Sequence, residues 1–575
     1  MSADVAEPAG GEPRRGALSA LAVFLERRSL VMLALGFASG LPNLLIFDTL
    51  SLWLRDAGLS LKVIAIFSLA TLAYSLKFLW APLIDRTSVP GLTRWLGHRR
   101  SWMIVFQVLV MLGLWLISGA NPAQNLGLMA AFAVFVGFTA ASQDVVIDAW
   151  RIEAAETEKQ GAMAAAYQWG YRLAMITAGA APLLLAEAFN WNFSYAAMAA
   201  LMLVGIGGAL AAPKEKAHVV RPIHAEGTPS RPALEIPEWL ARLALFAAGA
   251  LVLGSGLAAD VTLLAAGFAN VGLGAAGEGL IAAWAMKPQG VFFQVAAVLA
   301  GLGIIVLAAC PLPGARTRPG VYLFAALGDP LRDFFARYRG VAALILALIC
   351  LYRLSDFVLN IMNPFYADLG FSKLEIAEVR KVFGVIMSVL GVGLGGFAVA
   401  RLGLMRALVI GAFAGPLSNL VFAWLALQGA WLPALFIAIG VDNVASGFAG
   451  TCLIAYMSSL TSVGFTATQY ALFSSLYALP GKLIASQSGR IVEGSAAAAD
   501  AGGALAGLKT LFAGLPPEAY AGAAEKSGVT PAALGSGYVV FFLYSTVIGI
   551  AAIVLAFMVA ARQPKPEVTA PATEP

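Results

Sequence analysis

Fourteen stretches of mostly apolar residues follow one another along this chain of 575 residues. Each is near the 20 residues that carry a helix across a hydrocarbon layer ~30 Å thick. They lie at 30–54, 63–84, 102–118, 126–149, 161–186, 195–212, 240–263, 291–310, 341–366, 376–400, 405–427, 432–459, 468–489 and 537–560. Composition agrees, with 60% hydrophobic and 12% charged residues, where soluble domains carry about 25% charge. Disorder needs low hydrophobicity and is excluded by a mean hydropathy of +0.82. An all-α integral membrane protein is expected, with residues 264–286, apolar but rich in Gly and Ala, at the interface. Cys310, Cys350 and Cys452 sit in or beside apolar runs without metal-type spacing. No disulfide framework, metal site or other cofactor is therefore expected.

The segment up to Arg28 is polar, carries Arg14, Arg15, Arg27 and Arg28, and lacks the apolar core of a signal peptide, so the first span is expected to be retained. With this end in the cytoplasm, most of the 37 Lys and Arg residues fall on the cytoplasmic side. Arg86, Arg94, Arg99 and Arg100 share one such loop, and Arg316, Arg318, Arg332, Arg337 and Arg339 another. That asymmetry obeys the positive-inside rule with both termini cytoplasmic. The net charge of +5 is then a topology signal, not a nucleic-acid footprint.

Asp56-Ala-Gly-Leu-Ser60 with Ala65 recurs 312 residues later as Asp368-Leu-Gly-Phe-Ser372 with Ala377. Each copy follows the first span of a six-span block. Parallel halves related by an axis along the membrane normal are the layout of major-facilitator transporters. The expected organisation is a cytoplasmic tail (1–29), an N-terminal six-helix bundle (30–212), a Pro-rich linker (213–239), an inserted pair of helices (240–310), a second cytoplasmic linker (311–340), a C-terminal bundle (341–560) and a short cytoplasmic tail (561–575). Residues 491–536 are expected as a periplasmic insertion with one short helix.

Nine ionisable residues fall inside the spans: Asp48, Lys77, Asp144, Asp148, Arg172, Arg353, Asp356, Asp442 and Lys482. At about 2.5–3.5 kcal/mol each near a helix centre, nine facing lipid would oppose insertion by over ~20 kcal/mol. They must face one another or a wet cavity, as Arg353 can face Asp356 three residues on. A transport path accounts for the set better than isolated structural pairs. Asp144 and Asp148 share a helix face about 6 Å apart, and two such carboxylates should not both ionise easily. They are the first candidates for proton coupling, with Asp356 and Asp442 behind them. His98, His218 and His224 fall in predicted loops, so histidine does not compete for that role. The intramembrane bases suit an anionic cargo: Arg172 and Arg353 as bidentate forks, Lys77 and Lys482 as point charges. Each base equally suits a nearby aspartate. Gly36 with Gly40, and Gly391 with Gly395, permit close helix approach.

Asp85 and Arg86, followed by Gly97, His98, Arg99 and Arg100, look like a stretched form of the major-facilitator loop motif, whose charges would latch helix ends in one state. More specific matches extend along the chain: Gly36-Phe37-Ala38-Ser39-Gly40-Leu41-Pro42, Lys77 to Arg86, Ala141-Ser142-Gln143-Asp144 with Asp148-Ala149-Trp150, and Gly170-Tyr171-Arg172-Leu173. In the second half they are Pro330 to Phe335, Leu351 to Asp356, and Phe465 to Leu472. On these residues the chain resembles the AmpG muropeptide permease family, in the peptide/acetyl-CoA/drug branch of the major facilitators. The resemblance implies a transporter, not an enzyme, in the bacterial inner membrane, working as a monomer. It implies proton-driven import of anhydro-muropeptides for peptidoglycan recycling, with an influence on β-lactamase induction. Such cargo suits Arg172, Arg353 and Lys482 together with Gln143, Asn363, Asn443, Gln469 and Tyr470. The departures are the inserted pair, the enlarged 491–536 loop, Asp442 where glutamate is expected and Lys482 where arginine is expected. The alternative cargo is another anionic peptide-like or acylated molecule, or a drug for export.

Overall fold

The structure, a computed structural model, describes residues 23–563 except 59–71 and short stretches at 123, 157–158, 215–220, 222, 224–227, 229–230, 259, 271, 287–289, 312–316, 486–487 and 517. Most of the two tails, the first half of the 63–84 span and the Lys482 side chain lie outside the described residues.

The N-terminal bundle runs through α1 (Arg27–Asp56), the described part of the second span as α2 (Leu72–Leu76) and α3 (Ala81–Arg86), then α4 (His98–Ser118), α5 (Leu126–Ala154), α6 (Gln160–Ala188) and α7 (Trp191–Ala211). A middle pair, α8 (Pro232–Ala258) and α11 (Gly290–Ala309), is joined through α9 (Thr262–Asn270) and α10 (Gly274–Ala285). Helix α12 (Arg318–Arg337) leads into α13 (Ala342–Leu369), α14 (Leu374–Leu402), α15 (Leu404–Leu425), α16 (Leu432–Ser459) and α17 (Thr466–Ala485). After α18 (Ser488–Asp500) and α19 (Ala521–Ser527) the chain ends in α20 (Pro531–Arg562). Eleven of the described helices are long and apolar enough to cross a membrane. Two further expected spans appear as α6 and α17, long but more polar because they carry Gln168, Tyr171 and Arg172, and Gln469 and Lys482. Helices α9 and α10, of 9 and 12 residues, are too short to cross at ~1.5 Å per residue.

The 491–536 segment holds more helix than its single expected short one: α18, a 3-10 stretch (Ala506–Phe512) and α19. Alanine-rich sequence favours helix, and Val492, Ala496 and Ala499 form the buried stripe that docks α18 on α20. Tyr520 fastens the insertion to the C-terminal bundle, its hydroxyl donating to the Ala426 carbonyl at 2.9 Å and its N–H to the Asp368 carbonyl at 2.8 Å.

Glycine sets the tightest packing. A Cβ on Gly36 would stand 2.2 Å from the Tyr167 carbonyl oxygen, and one on Gly170 2.0 Å from that of Leu33, so α1 and α6 meet backbone to backbone. Gly391 and Gly395 do the same for α14 against α16. Besides a 3-10 turn at Leu359–Ile361 and a break at Met202, four irregularities interrupt the long described helices: π turns at Leu45–Thr49 and Glu378–Phe383, a 3-10 turn at Lys77–Leu79, and a break at Arg353. Each of these four carries an ionisable side chain: Asp48, Arg380, Lys77 and Arg353. Such turns are often found at functional sites.

The two bundles touch from the face that carries Arg86, Arg99 and Arg337, here called the basic face, inward to about the middle of α6 and α14. Trp169 of α6 donates to the Val389 carbonyl of α14 at 2.9 Å, Gln168 to Thr451 of α16 at 2.7 Å, and Arg151 of α5 to Ser458 of α16 at 2.9 Å. The middle pair packs on the flank formed by α2 and α17, where Leu253, Leu257, Val298 and Ile305 meet Leu76, Phe78 and Trp80. Arg242 of α8 donates to the Ala308 and Cys310 carbonyls, capping α11, while Glu238 accepts from Thr317 ahead of α12.

Candidate functional site

A cavity of about 350 Å³ opens between the bundles. Arg172 of α6 reaches it from one side, and α13, α14 and α16 supply the rest: Arg353, Asp356, Tyr366, Arg380, Asp442, Asn443 and Ser446. Three guanidinium groups against two carboxylates leave a net positive site. Arg380 and Asp442 stand 6 and 10 residues inside the helix ends of the face opposite the basic one, about 9 and 15 Å deep. The break at Arg353 turns its side chain back onto Asp356 (2.7 Å), with Ser446 accepting a second bond. Arg380 donates to Asn363 and lies 5.8 Å from the centre of the Tyr366 ring. Asp442 accepts from Ser418 at 3.3 Å. The Asn443 amide nitrogen donates to the Ile439 carbonyl at 2.9 Å, leaving its oxygen able to accept in the cavity.

Asp144 and Asp148 lie on the other side of the midplane, 10 and 6 residues from the basic-face end of α5, about 15 and 9 Å deep. Asp144 accepts from Ser39 of α1, which in turn meets the Tyr167 hydroxyl of α6 at 2.7 Å. Asp148 is held between Lys77 (3.9 Å) and Arg151 (3.3 Å). The predicted carboxylates thus form two clusters at mirrored depths.

The predicted loop residues close the basic face. Asp85 is fully buried and accepts from Arg99 at 2.7 Å, from the Thr468 N–H at 2.8 Å and hydroxyl at 2.7 Å, and from the Ala467 N–H at 3.2 Å. It therefore caps the start of α17 from the other bundle, where free N–H groups and the helix dipole favour an anion. Arg99 completes the triad by forking onto Glu153 (2.6 Å). Arg86 reaches Asp329 of α12 at 3.3 Å. Arg100 stays within its own bundle, donating to the Ala209 and Leu210 carbonyls at the end of α7.

Of the expected cargo residues, Arg172, Arg353 and Asn443 line the cavity, and Asn363 joins them through Arg380. Gln469 and Tyr470 stand elsewhere, at the closed basic face. Gln469 bridges α12 and α17, donating to the Pro330 carbonyl and to Asp333, and accepting from the Ser462 N–H and Arg337. Tyr470 lies under the Arg151 guanidinium, 5.2 Å from ring centre. Gln143 is buried in α5, its amide atoms making no hydrogen bond among the described residues. Burial works against ionisation of Asp333, but hydrogen bonds from Ser462 and Gln469 with the Arg337 guanidinium outweigh it and hold that carboxyl below its ordinary value.

Arg380, Arg151, Ser39 and Tyr167 were not singled out by the sequence. Arg380 stands at the mouth of a span and reads as a flanking residue, while Arg151 reads as part of a loop. Ser39 lies between the paired glycines and within the Gly36–Pro42 match, but neither signal gives it a role.

A family model described as acetyl-coenzyme A transporter 1 matches residues 29–124. The anhydromuropeptide permease of Escherichia coli (strain K12) is 30% identical over 476 residues, covering 82% of this chain and 76% of the relative. A transporter named AmpG 4 from Rickettsia conorii is 28% identical over 473 residues, covering 82% and 91%. Among solved structures, the major-facilitator proton:xylose symporter XylE superposes with a TM-score of 0.51 at 10% identity, covering 95% of this chain and 96% of that one. That likeness establishes the fold, and the permease match the lineage. The chain belongs to the AmpG anhydromuropeptide permease family of major-facilitator transporters.

Proposed function

We propose that this protein is a proton-coupled symporter that imports anhydro-muropeptides across the bacterial inner membrane, as a monomer, for peptidoglycan recycling. The observation that carries the cargo assignment is the cavity built by Arg172, Arg353 and Arg380. Peptide carboxylates match guanidinium forks, and the net positive charge favours an anionic stem. At about 350 Å³ the cavity is near the small end of ligand sites, ~300–1,000 Å³, which suits one charged end of a larger cargo. The E. coli relative's name supplies the chemical class.

The positive-inside rule supports a cytoplasmic basic face, and with it both termini inside. On this reading the conformation is closed to the cytoplasm, with the cavity nearer the periplasm. Asp356 and Asp442 stand on the periplasmic side of the path and Asp144 and Asp148 on the cytoplasmic side, an order suited to moving a proton inward with the cargo. In bacteria with inducible β-lactamase, such import would feed the inducing signal. A carrier of an acylated anion is the second reading, favoured by the acetyl-coenzyme A transporter match over residues 29–124. Uptake of labelled anhydro-muropeptide into right-side-out vesicles separates the two. Gradient-dependent accumulation there, and none in inverted vesicles, is the expected result. Accumulation in neither orientation would remove the cargo assignment.

A further inference from the structure

We propose that Ser39 and Tyr167 form a two-hydroxyl relay through which Asp144 gains and loses its proton, an inference that rests on Asp144 being a coupling carboxylate. Ser39 is fully buried, and its hydroxyl donates to Asp144 Oδ1. A serine hydroxyl has one proton, so with that proton committed to Asp144 its oxygen can accept from Tyr167, 2.7 Å away. The three groups make one file: phenol, alcohol, carboxylate. Tyr167, partly exposed, is its outer end.

The glycines of α1 create this file. A Cβ on Gly36 would collide with the Tyr167 carbonyl oxygen at 2.2 Å, and one on Gly40 with that of Tyr171 at 2.7 Å. Only backbone-to-backbone contact at both positions brings a side chain as short as Ser39 within reach of α6 and α5 together. Among the described residues, the other polar groups near Asp144 make no hydrogen bond to it. Lys77 engages Asp148 at 3.9 Å, as does Arg151 at 3.3 Å. The Tyr171 hydroxyl accepts from Asn43 at 2.7 Å. The Tyr74 hydroxyl is buried without a hydrogen bond among the described residues. Among the described residues, Ser39 is the hydrogen-bond partner of Asp144.

The transfer balances. A proton arriving on the Tyr167 oxygen displaces the phenolic proton onto Ser39, whose own proton passes to Asp144. Each hydroxyl ends with one proton, and rotation of both resets the file. Release runs in reverse. Tyr167 directly precedes Gln168, which donates to Thr451 across the bundles, and Trp169, which donates to Val389. Parting of the bundles would break those two bonds and wet Tyr167 first, so the relay would open to the cytoplasm with the gate.

The test is infrared difference spectroscopy on the full chain in lipid vesicles after a downward pH jump, which needs no cargo. The Asp144 carboxylic C=O band is assigned as the one lost in Asp144→Asn. In Ser39→Ala and Tyr167→Phe that band is expected still to appear, at a rate several-fold slower than wild type, with Ser39→Thr near wild type. A purely structural role would change band position or protein yield without slowing the rise. Should Ser39→Ala misfold, Tyr167→Phe, which keeps the ring, carries the test alone. An unchanged rise rate in the phenylalanine variant would overturn the relay. If Asp144→Asn removes no titrating band, the coupling assignment itself falls and the relay with it.

Discussion

Replacing Asp85 by Asn removes a negative charge from a site with no exposed surface and four hydrogen-bond donors aimed at it. Three of those donors, the Ala467 N–H and both Thr468 groups, belong to the opposite bundle, so their loss is felt only when the basic face is closed. Arg99 keeps Glu153, but the amide cannot accept from every donor, and its NH₂ meets donors. The Asp85–Arg99 pair lies within one bundle and is lost in both states, so the state-dependent cost is that of the charged hydrogen bonds from the opposite bundle, about 1.5–3 kcal/mol. At 1.4 kcal/mol per decade, the closed state should lose roughly 10- to 100-fold in population relative to the open one. The assay is thiol labelling of Ser446→Cys, a cavity position, from each side of oriented vesicles. Asp85→Asn should raise labelling from the basic face and lower it from the other. Thr468→Val, which deletes one 2.7 Å bond and leaves no charge unpaired, should act the same way by ~1 kcal/mol, about fivefold. Equal labelling ratios in wild type and Asp85→Asn would show that this carboxylate does not set the gate.

Arg172→Ala and Arg353→Ala should each weaken cargo binding by ~1.5–3 kcal/mol, roughly 10- to 100-fold in KM for uptake; Arg353→Ala should also lower accumulation, because it strips Asp356 of its 2.7 Å partner. Acid should undock α12. The Asp333 carboxyl is held below its ordinary value, so its contribution to docking is complete above about pH 4 and fades as the pH falls through the lowered value. Spin-label distances between α12 and α17 should lengthen in that acid window, and Asp333→Asn should remove the transition. Gly170→Ala places a Cβ 2.0 Å from a carbonyl oxygen and should cost about 1–3 kcal/mol, read as a lower unfolding temperature in detergent; an unchanged temperature would mean that α1 and α6 are not in backbone contact.

Apolar length made the spans legible, because a hydrocarbon layer imposes it on every crossing helix. The intramembrane charges were legible for the same reason, and Arg172, Arg353, Asp356 and Asp442 indeed share one cavity. What the sequence could not show was depth and state. Asp144 and Asp442 read alike as acids in spans, yet they stand on opposite sides of the midplane. Gln469 and Tyr470 carry the polar pattern of cargo ligands, but this closed conformation uses them to pin α12 and shelter Arg151. Arg380 owes its place in the cavity to a π turn, a deviation of backbone register that residue type does not encode.

The middle pair α8 and α11 widens the protein on one flank. It packs against α2 and α17 there, while α6 and α14 on another side of the junction touch directly. Its outer surface carries Phe292, Leu299 and Leu307, all more than half exposed, so the lipid boundary is displaced outward on that side. Bundles that rock about the midplane then sweep unequal areas of bilayer on their two flanks. The work done against lateral pressure would be correspondingly lopsided, and membrane composition would bear on each cycle through the middle pair.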